Sequence, residues 1–460
     1  MVLASNLLKS TGGKVLIDIL VKNGMIVTMD KERHIYEKGS IAIKNGKIKE
    51  VGELGPEKNA EEVIDANGKI IMPGLISSYT RMHGILLRAM PLKIDPPTDL
   101  SQILQRVWWR MDEEMTKNDD YTSALASCLE FIKTGTTCCL NTYSGVRSMG
   151  GSLDRIARAV DEAGLRASIG FEASDRNTRA EGARGMDENI KFIKKLQRKR
   201  RTKRIRGVIS LHASFTISDE LLSHTRRLVK RYDVPLVIST AEGAVDTYYN
   251  LASYGMRTVE RLHDKHILSP KTVLVNCVHV SDDELHLIQE SGAKVVHNPM
   301  KNMLNGVGVA KVSQMLSMGI PTGLGNGGYI FDGFENMRSA YLLHKAVTED
   351  PRTITPMETL EMATIHGAKI CNWENEIGSI EPGKYADLIV IDTSSFPTPL
   401  KCENVVDHIV NTVNGQDIET VIVGGRILMR ERKVITLQED DVIKASNKSA
   451  KKLWKKLEAI

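Results

Sequence analysis

Between residues 70 and about 375, short apolar runs alternate with helical stretches of ten to fifteen residues, and this rhythm restricts the fold more than any other feature. The runs include 136–140, 167–171, 208–211, 234–238, 273–278, 294–297 and 322–325. Parallel strands need a long crossover to return to the same edge, so repeated βα units predict a closed parallel barrel. The expected fold class is α/β, a (β/α)8 TIM-type barrel over 70–375. Residues 1–69 have a different pattern, with short strands at 17–22, 25–29, 40–44, 47–51 and 63–65. Asn23-Gly24, Asn45-Gly46 and Asn67-Gly68 punctuate them, and Asn-Gly suits the positive φ angles of tight hairpins. Strands return at 386–392, 405–410, 420–423 and 426–434, within a segment spanning 376–435. The two β segments are expected to join in one small β-sandwich beside the barrel. A Lys-rich amphipathic helix, in 436–460, closes the chain.

Composition narrows the setting. A chain of 460 residues with 42% hydrophobic and 26% charged residues suits a soluble protein with a large core. No run approaches the ~20 apolar residues that span a bilayer, and the first fourteen residues are too short and too polar for a signal peptide. Cys128, Cys138, Cys139, Cys277, Cys371 and Cys402 form no CxxC pair and read as reduced thiols, most of them within apolar runs. A cytoplasmic location without a membrane partner is expected. The basic run from Arg198 to Arg206 has no interleaved aromatics and no nucleic-acid motif beside it, so it reads as a solvated loop and no nucleic-acid partner is expected.

Several motifs then fall in one order: Met72-Pro-Gly-Leu-Ile76, Val107-Trp-Trp-Arg-Met111, Phe131-Ile-Lys-Thr-Gly-Thr-Thr137 and Phe171-Glu-Ala-Ser-Asp-Arg176. Leu211-His-Ala-Ser-Phe-Thr-Ile-Ser-Asp-Glu220, His297-Asn-Pro-Met-Lys-Asn302 and Ile377-Gly-Ser-Ile-Glu-Pro-Gly-Lys-Tyr-Ala-Asp387 follow. Together they resemble the amidohydrolase superfamily, in its aminohydrolase branch of cytosine, guanine and methylthioadenosine deaminases. Within that branch the SsnA-type aminohydrolases associated with selenium metabolism are the most similar. The resemblance implies one divalent metal, usually zinc or iron. Its ligands would be a His-x-His on the first barrel strand, a His on the fifth and an Asp on the eighth, with a His on the sixth to activate water. This chain has Tyr79 and Arg81, Ser239, Gly327 and Asn276 at those positions. A guanidinium has no lone pair to give a cation, and a zinc site needs three or four N, O or S donors. His-x-His occurs nowhere, although Glu242, matching the family's catalytic Glu, is retained.

From these replacements the expectation is no metal, no cofactor and no ordinary deamination. The chain would be a catalytically silent homologue serving as a scaffold or regulatory subunit, in a homodimer or a complex. Trp108 and Trp109 are the first candidates to anchor that interface, with packing inside the chain as the alternative. Two other functions stay open: a metal-independent enzyme or binder of a small anionic ligand, and a hydrolase of non-peptide C–N bonds. The barrel mouth would be lined by Tyr79, Arg81, His212, Ser239, Glu242, Asn276, His279, Asn298 and Asn326. Glu242 and His212 are the candidate acid–base residues, and Arg81 is expected to meet Glu242 or an anion. Cys138 and Cys139 are read as core.

Overall fold

Residues 17–55, 59–91, 93–198 and 204–458 are described by a computed structural model. Residues 1–16 and most of the basic run, 199–203, lie outside these residues. The flanks of that run are satisfied within the chain: Arg204 pairs with Asp161 at 2.8 Å, and Arg206 pairs with Glu376 at 2.5 Å and lies over the Trp373 ring. Among the described residues no helix is long and apolar enough to cross a membrane.

Five strands open the chain: β1 (Ile17–Val27), β2 (Ile35–Lys44), β3 (Lys47–Gly52), β4 (Ala60–Asp65) and β5 (Ile70–Pro73). Four close it: β15 (Leu388–Ile391), β16 (Ile418–Val423), β17 (Arg426–Arg430) and β18 (Lys433–Val434). All belong to one nine-stranded sheet in the order β18-β17-β16-β15-β5-β1-β2-β3, with β4 alongside β1. The join is β5, which pairs parallel with β1 and antiparallel with β15, so both ends of the chain share one apolar layer. Asn45 and Gly46 turn β2 into β3 with φ of 53° and 76°, as a tight hairpin needs.

Three local expectations are corrected. Asn23-Gly24 makes no hairpin: β1 runs through it with a register irregularity, because a Cβ on Gly24 would stand 2.6 Å from Ile71 and the close packing favours a bulge. Residues 405–410 belong to a helix, Val405–Asn411, since Val405, Val406, Ile409 and Val410 share one buried face while Asp407 points out. Residues 426–434 are two strands broken at Glu431 and Arg432, both with positive φ.

Eight parallel strands form the barrel: β6 (Leu75–Thr80), β7 (Thr136–Tyr143), β8 (Arg166–Ala173), β10 (Ile209–Ala213), β11 (Leu236–Thr240), β12 (Thr272–Asn276), β13 (Lys294–His297) and β14 (Thr322–Leu324). A short β9 (Ile205–Gly207) adds to β8. Every residue of β6, β7, β8, β10 and β11 is buried, as expected of strands covered by helices outside and side chains within. The ring is nearly closed. No ladder joins β14 to β6, but the N–H groups of Asn326 and Gly327 donate to the Tyr79 carbonyl at 3.0 and 3.3 Å.

Gly74 stands between β5 and β6, where the sheet passes into the barrel. A Cβ there would lie 2.2 Å from both Cγ2 and Oγ1 of the buried Thr137. Gly74→Ala is therefore expected to destabilise by about 1–3 kcal/mol through overpacking, seen as a lower midpoint in urea with an unchanged slope. On β8, the buried Arg166 donates two bonds to Asp387, at 2.6 and 3.0 Å, and ties barrel to sheet.

Candidate functional site

The carboxyl ends of the barrel strands carry two buried ionic clusters. In the first, Tyr79 and Arg81 sit at and just beyond the end of β6, and Glu172 sits near the end of β8. Arg81 donates to Glu172 from Nη2 at 2.6 Å and from Nε at 3.1 Å, a two-point contact suited to a guanidinium and a carboxylate. Tyr79 and Thr142 donate their hydroxyls to the same carboxylate at 2.8 and 2.6 Å. The Trp108 ring lies 5.3 Å from the guanidinium, and His83 packs edge-on to Trp108 and to Tyr143. Arg81 thus has a partner, as a buried charge requires. The partner is Glu172 rather than the Glu242 expected, because β8 brings its carboxylate within two-point reach of Arg81 and Glu242 is engaged elsewhere.

The second cluster centres on Glu242, just past β11. Lys301 donates to Oε1 at 2.7 Å and Asn276 donates to Oε2 at 2.8 Å, while the Asn276 carbonyl accepts from Asn298 at 2.7 Å. Glu242 is 7% exposed and Lys301 4%. The backbone is strained here, with φ of 47° at Ala241, 80° at Asn276 and 48° at Cys277. Such residues concentrate where surrounding structure enforces a conformation for function. Asp246 supports this one: its carboxylate accepts from the Ala241 N–H at 2.6 Å and from Ser214 at 2.5 Å, and burial pushes its pKa up to about 7.

His212, at the end of β10, lies between the clusters. Its Nδ1 meets Thr216 at 3.0 Å and its Nε2 faces the Trp109 indole N–H at 3.4 Å. Burial holds it well below the ordinary histidine range, and the charges of Arg176, Arg81 and Lys301 add to that. Each of those three cations has its own carboxylate, Asp112, Glu172 and Glu242 respectively, so the mouth is close to neutral. Trp108 and Trp109 belong to the helical segment over the mouth, half-buried and packed within the chain on Arg81, His83 and His212. Residues Leu104–Trp108 of that segment form a π-helical turn, a feature frequent at functional sites.

The other expected residues are spread around the rim. Ser239 Oγ, Asn298 Oδ1 and Asn326 Nδ2 are buried without a hydrogen-bond partner, and Asn326 Oδ1 accepts from the Gly328 N–H. His279 bonds the Val307 carbonyl at 2.9 Å and lines a cleft of about 680 Å³ bounded also by Gly243, Tyr248, Tyr249 and Asp99. Gly243 follows Glu242 in the chain, and Glu242 itself does not line that cleft. Cys138 and Cys139 are buried in the core, as expected. Glu172 and Lys301 were not anticipated. The available signal was a charged residue inside each of two strand-end motifs, Phe171 to Arg176 and His297 to Asn302.

At the positions assigned to metal ligands, only Ser239 has a buried oxygen without a hydrogen-bond partner. The Tyr79 hydroxyl is committed to Glu172, Arg81 offers only donors, the Asn276 amide spans Glu242 and Asn298, and Gly327 has no side chain. Among the described residues, the group of three His or acidic side chains close enough to share an ion is Asp30, Glu32 and His34, between β1 and β2, away from the barrel mouth.

Comparison with known proteins bears on what this architecture does. A model of the amidohydrolase family matches residues 70–428. A 5'-deoxyadenosine deaminase of Methanosarcina mazei is 32% identical over 440 residues, covering 95% of this chain and 98% of that protein. A 5-methylthioadenosine/S-adenosylhomocysteine deaminase of Syntrophobacter fumaroxidans is 32% identical over 435 residues, covering 93% and 96%. The crystal structure of an adenosine deaminase from Xanthomonas campestris with bound zinc superposes with a TM-score of 0.88 at 23% identity, covering 95% and 99%, a likeness of fold. These names overturn the expectation of a silent scaffold or regulatory subunit: relatives matched over nearly the whole chain are named as deaminases. They also overturn the reading of the replaced positions as the mark of a disused centre.

Proposed function

We propose that this chain, which belongs to the amidohydrolase family, is an enzyme: a hydrolase of a non-peptide C–N bond that releases ammonia from an amino-substituted, purine-type substrate. The observation that carries the reading is the 32% identity, over 95% of the chain, to a 5'-deoxyadenosine deaminase. The geometry supports it through Glu242, a buried carboxylate just past the carboxyl end of β11 that faces Lys301 and precedes Gly243, a residue of the cleft wall. In this proposal Glu242 moves the proton between the attacking water and the departing nitrogen, a role carboxylates fill in a dry site. Neutral His212 accepts a hydrogen bond from Trp109 and orients the substrate. Tyr79, Arg81, Ser239, Asn276, His279 and Asn326 form the surrounding wall. The near balance of charge at the mouth favours a neutral substrate over the small anion also considered. The likeness to SsnA-type aminohydrolases and a cytoplasmic setting, which six unpaired cysteines suit, belong to the same proposal.

The test is a coupled ammonia-release assay on 5'-deoxyadenosine, methylthioadenosine, S-adenosylhomocysteine, adenosine, guanine and cytosine, with protein as purified, after chelation, and with added zinc. Ammonia release is expected from at least one substrate. Glu242→Gln is expected to lower kcat by roughly 10²–10⁴, with the folded state retained by circular dichroism. Absence of release in all three metal conditions overturns the reading. Mass measurement on the same preparation tests the homo-oligomer or complex expected from the sequence.

A further inference from the structure

Lys301 is a buried ammonium whose route into the barrel mouth depends on one glycine. It stands on the short helix Pro299–Leu304 after β13, 4% exposed, and reaches Glu242 at 2.7 Å. Its methylenes cross the face of Gly327, where a Cβ would lie 2.2 Å from Lys301 Cδ, 2.9 Å from Cγ and 3.0 Å from Cβ. Three contacts along one stem leave no small adjustment that would admit a side chain at 327. Gly327 also has φ of 60°, which disfavours a substituent independently. Lys301 and Gly327 are thus a matched pair: the lysine enters because the glycine is bare.

An ammonium has three donors, and one is used on Glu242. The other two have no described acceptor, in a mouth where Ser239 Oγ, Asn298 Oδ1 and Asn326 Nδ2 are also buried without partners. A lysine kept only for structure would be an expensive choice. Desolvating an ammonium costs several kcal/mol, and an apolar side chain of similar volume usually fills such a place at least as well. A cation with free donors beside a candidate acid–base carboxylate is suited to receive negative charge as it develops on a substrate.

We infer that Lys301 is a catalytic residue of the proposed reaction. It holds Glu242 with one N–H and directs the remaining donors to the purine ring nitrogen that gains electron density when water adds to the neighbouring amino-bearing carbon. In that step a C–O bond forms, the C=N π pair moves onto the ring nitrogen, and Glu242 takes the proton from water. The C–N bond to the amino group then breaks as Glu242 returns its proton to the amino nitrogen, which leaves as ammonia; the hydroxyl proton passes to the ring nitrogen and the O–H pair closes the carbonyl. The inference rests on the C–N hydrolase reading and supplies the positive charge at the ring nitrogen from the chain itself.

The experiment uses the whole chain with the substrate that gives the highest ammonia release in the panel. Lys301→Met, close in length and without charge, is expected to lower kcat by about 10²–10³ with KM changed less than about threefold. Lys301→Ala opens a space along Gly327, and added propylammonium is expected to restore at least about a tenfold part of its lost kcat by occupying that space, a rescue that a packing role would not show. Gly327→Ala should reduce kcat as well, by displacing the Lys301 stem. Folding of each variant is checked by circular dichroism and by its urea midpoint. Wild-type ammonia release together with undiminished kcat in Lys301→Met overturns the assignment and leaves the hydrolase reading intact. A folded but slow Lys301→Ala that no alkylammonium rescues overturns it too. Failure of the wild type to release ammonia from any substrate removes both.

Discussion

Glu172→Leu is expected to destabilise the protein by about 3–5 kcal/mol, the usual result of stripping one partner from a buried ion pair. The carboxylate is 4% exposed and accepts from Arg81, Tyr79 and Thr142. Without it, a 3% exposed guanidinium and two buried hydroxyls lose their acceptor at once. The double variant Arg81→Met, Glu172→Leu should recover most of the loss, because it removes the charge along with its partner. Equilibrium denaturation of the single and double variants gives the coupling between the two residues. A Glu172→Leu protein within about 1 kcal/mol of wild type would mean that water reaches the pair and solvates Arg81.

Acid is expected to unfold the chain at unusually mild pH. Burial lowers His83 to about 3 and His344 to about 4, and holds His212 and His297 well below the ordinary histidine value of 6.5. The folded state keeps these rings neutral, whereas the unfolded chain protonates them once pH falls through 6.5. Each therefore contributes stability that is complete above the unfolded pKa and is lost as pH falls from 6.5 toward the folded pKa. The loss reaches about 1.4 kcal/mol per pH unit per ring. Four rings give roughly 6 kcal/mol per unit. Asp246, raised to about 7, and Asp120, also raised by burial, act in the opposite sense, since the folded state binds their protons first. The histidines outnumber them, so stability should drop steeply between pH 6 and 4. Urea titrations at half-unit steps test this, and a midpoint flat across that window would show that the rings charge without unfolding. His344→Phe should flatten the slope by about one ring's share.

The sequence alone determined the barrel and the sheet that joins both chain ends. Period-two and βα patterns reflect how each residue is divided between core and water, and that division is written locally in runs such as 167–171 and 273–278. It also marked the mouth residues, because the carboxyl ends of parallel strands all face one side of a barrel. Local pattern was weaker where two structures share it: residues 405–410 carry an apolar run that suits a strand or a helix, and packing in the folded chain selected the helix. The pairing of charges was decided by tertiary structure. Arg81 meets Glu172 across 91 residues of chain and Glu242 meets Lys301 across 59, distances that no periodicity reports. Which carboxylate serves which cation follows from strand order and from the length of each side chain, down to the bare face of Gly327 that lets Lys301 through. Coulomb energy in a dry interior changes by kcal/mol over an ångström or two. The chemistry of this mouth therefore became readable only once the strands had been placed side by side.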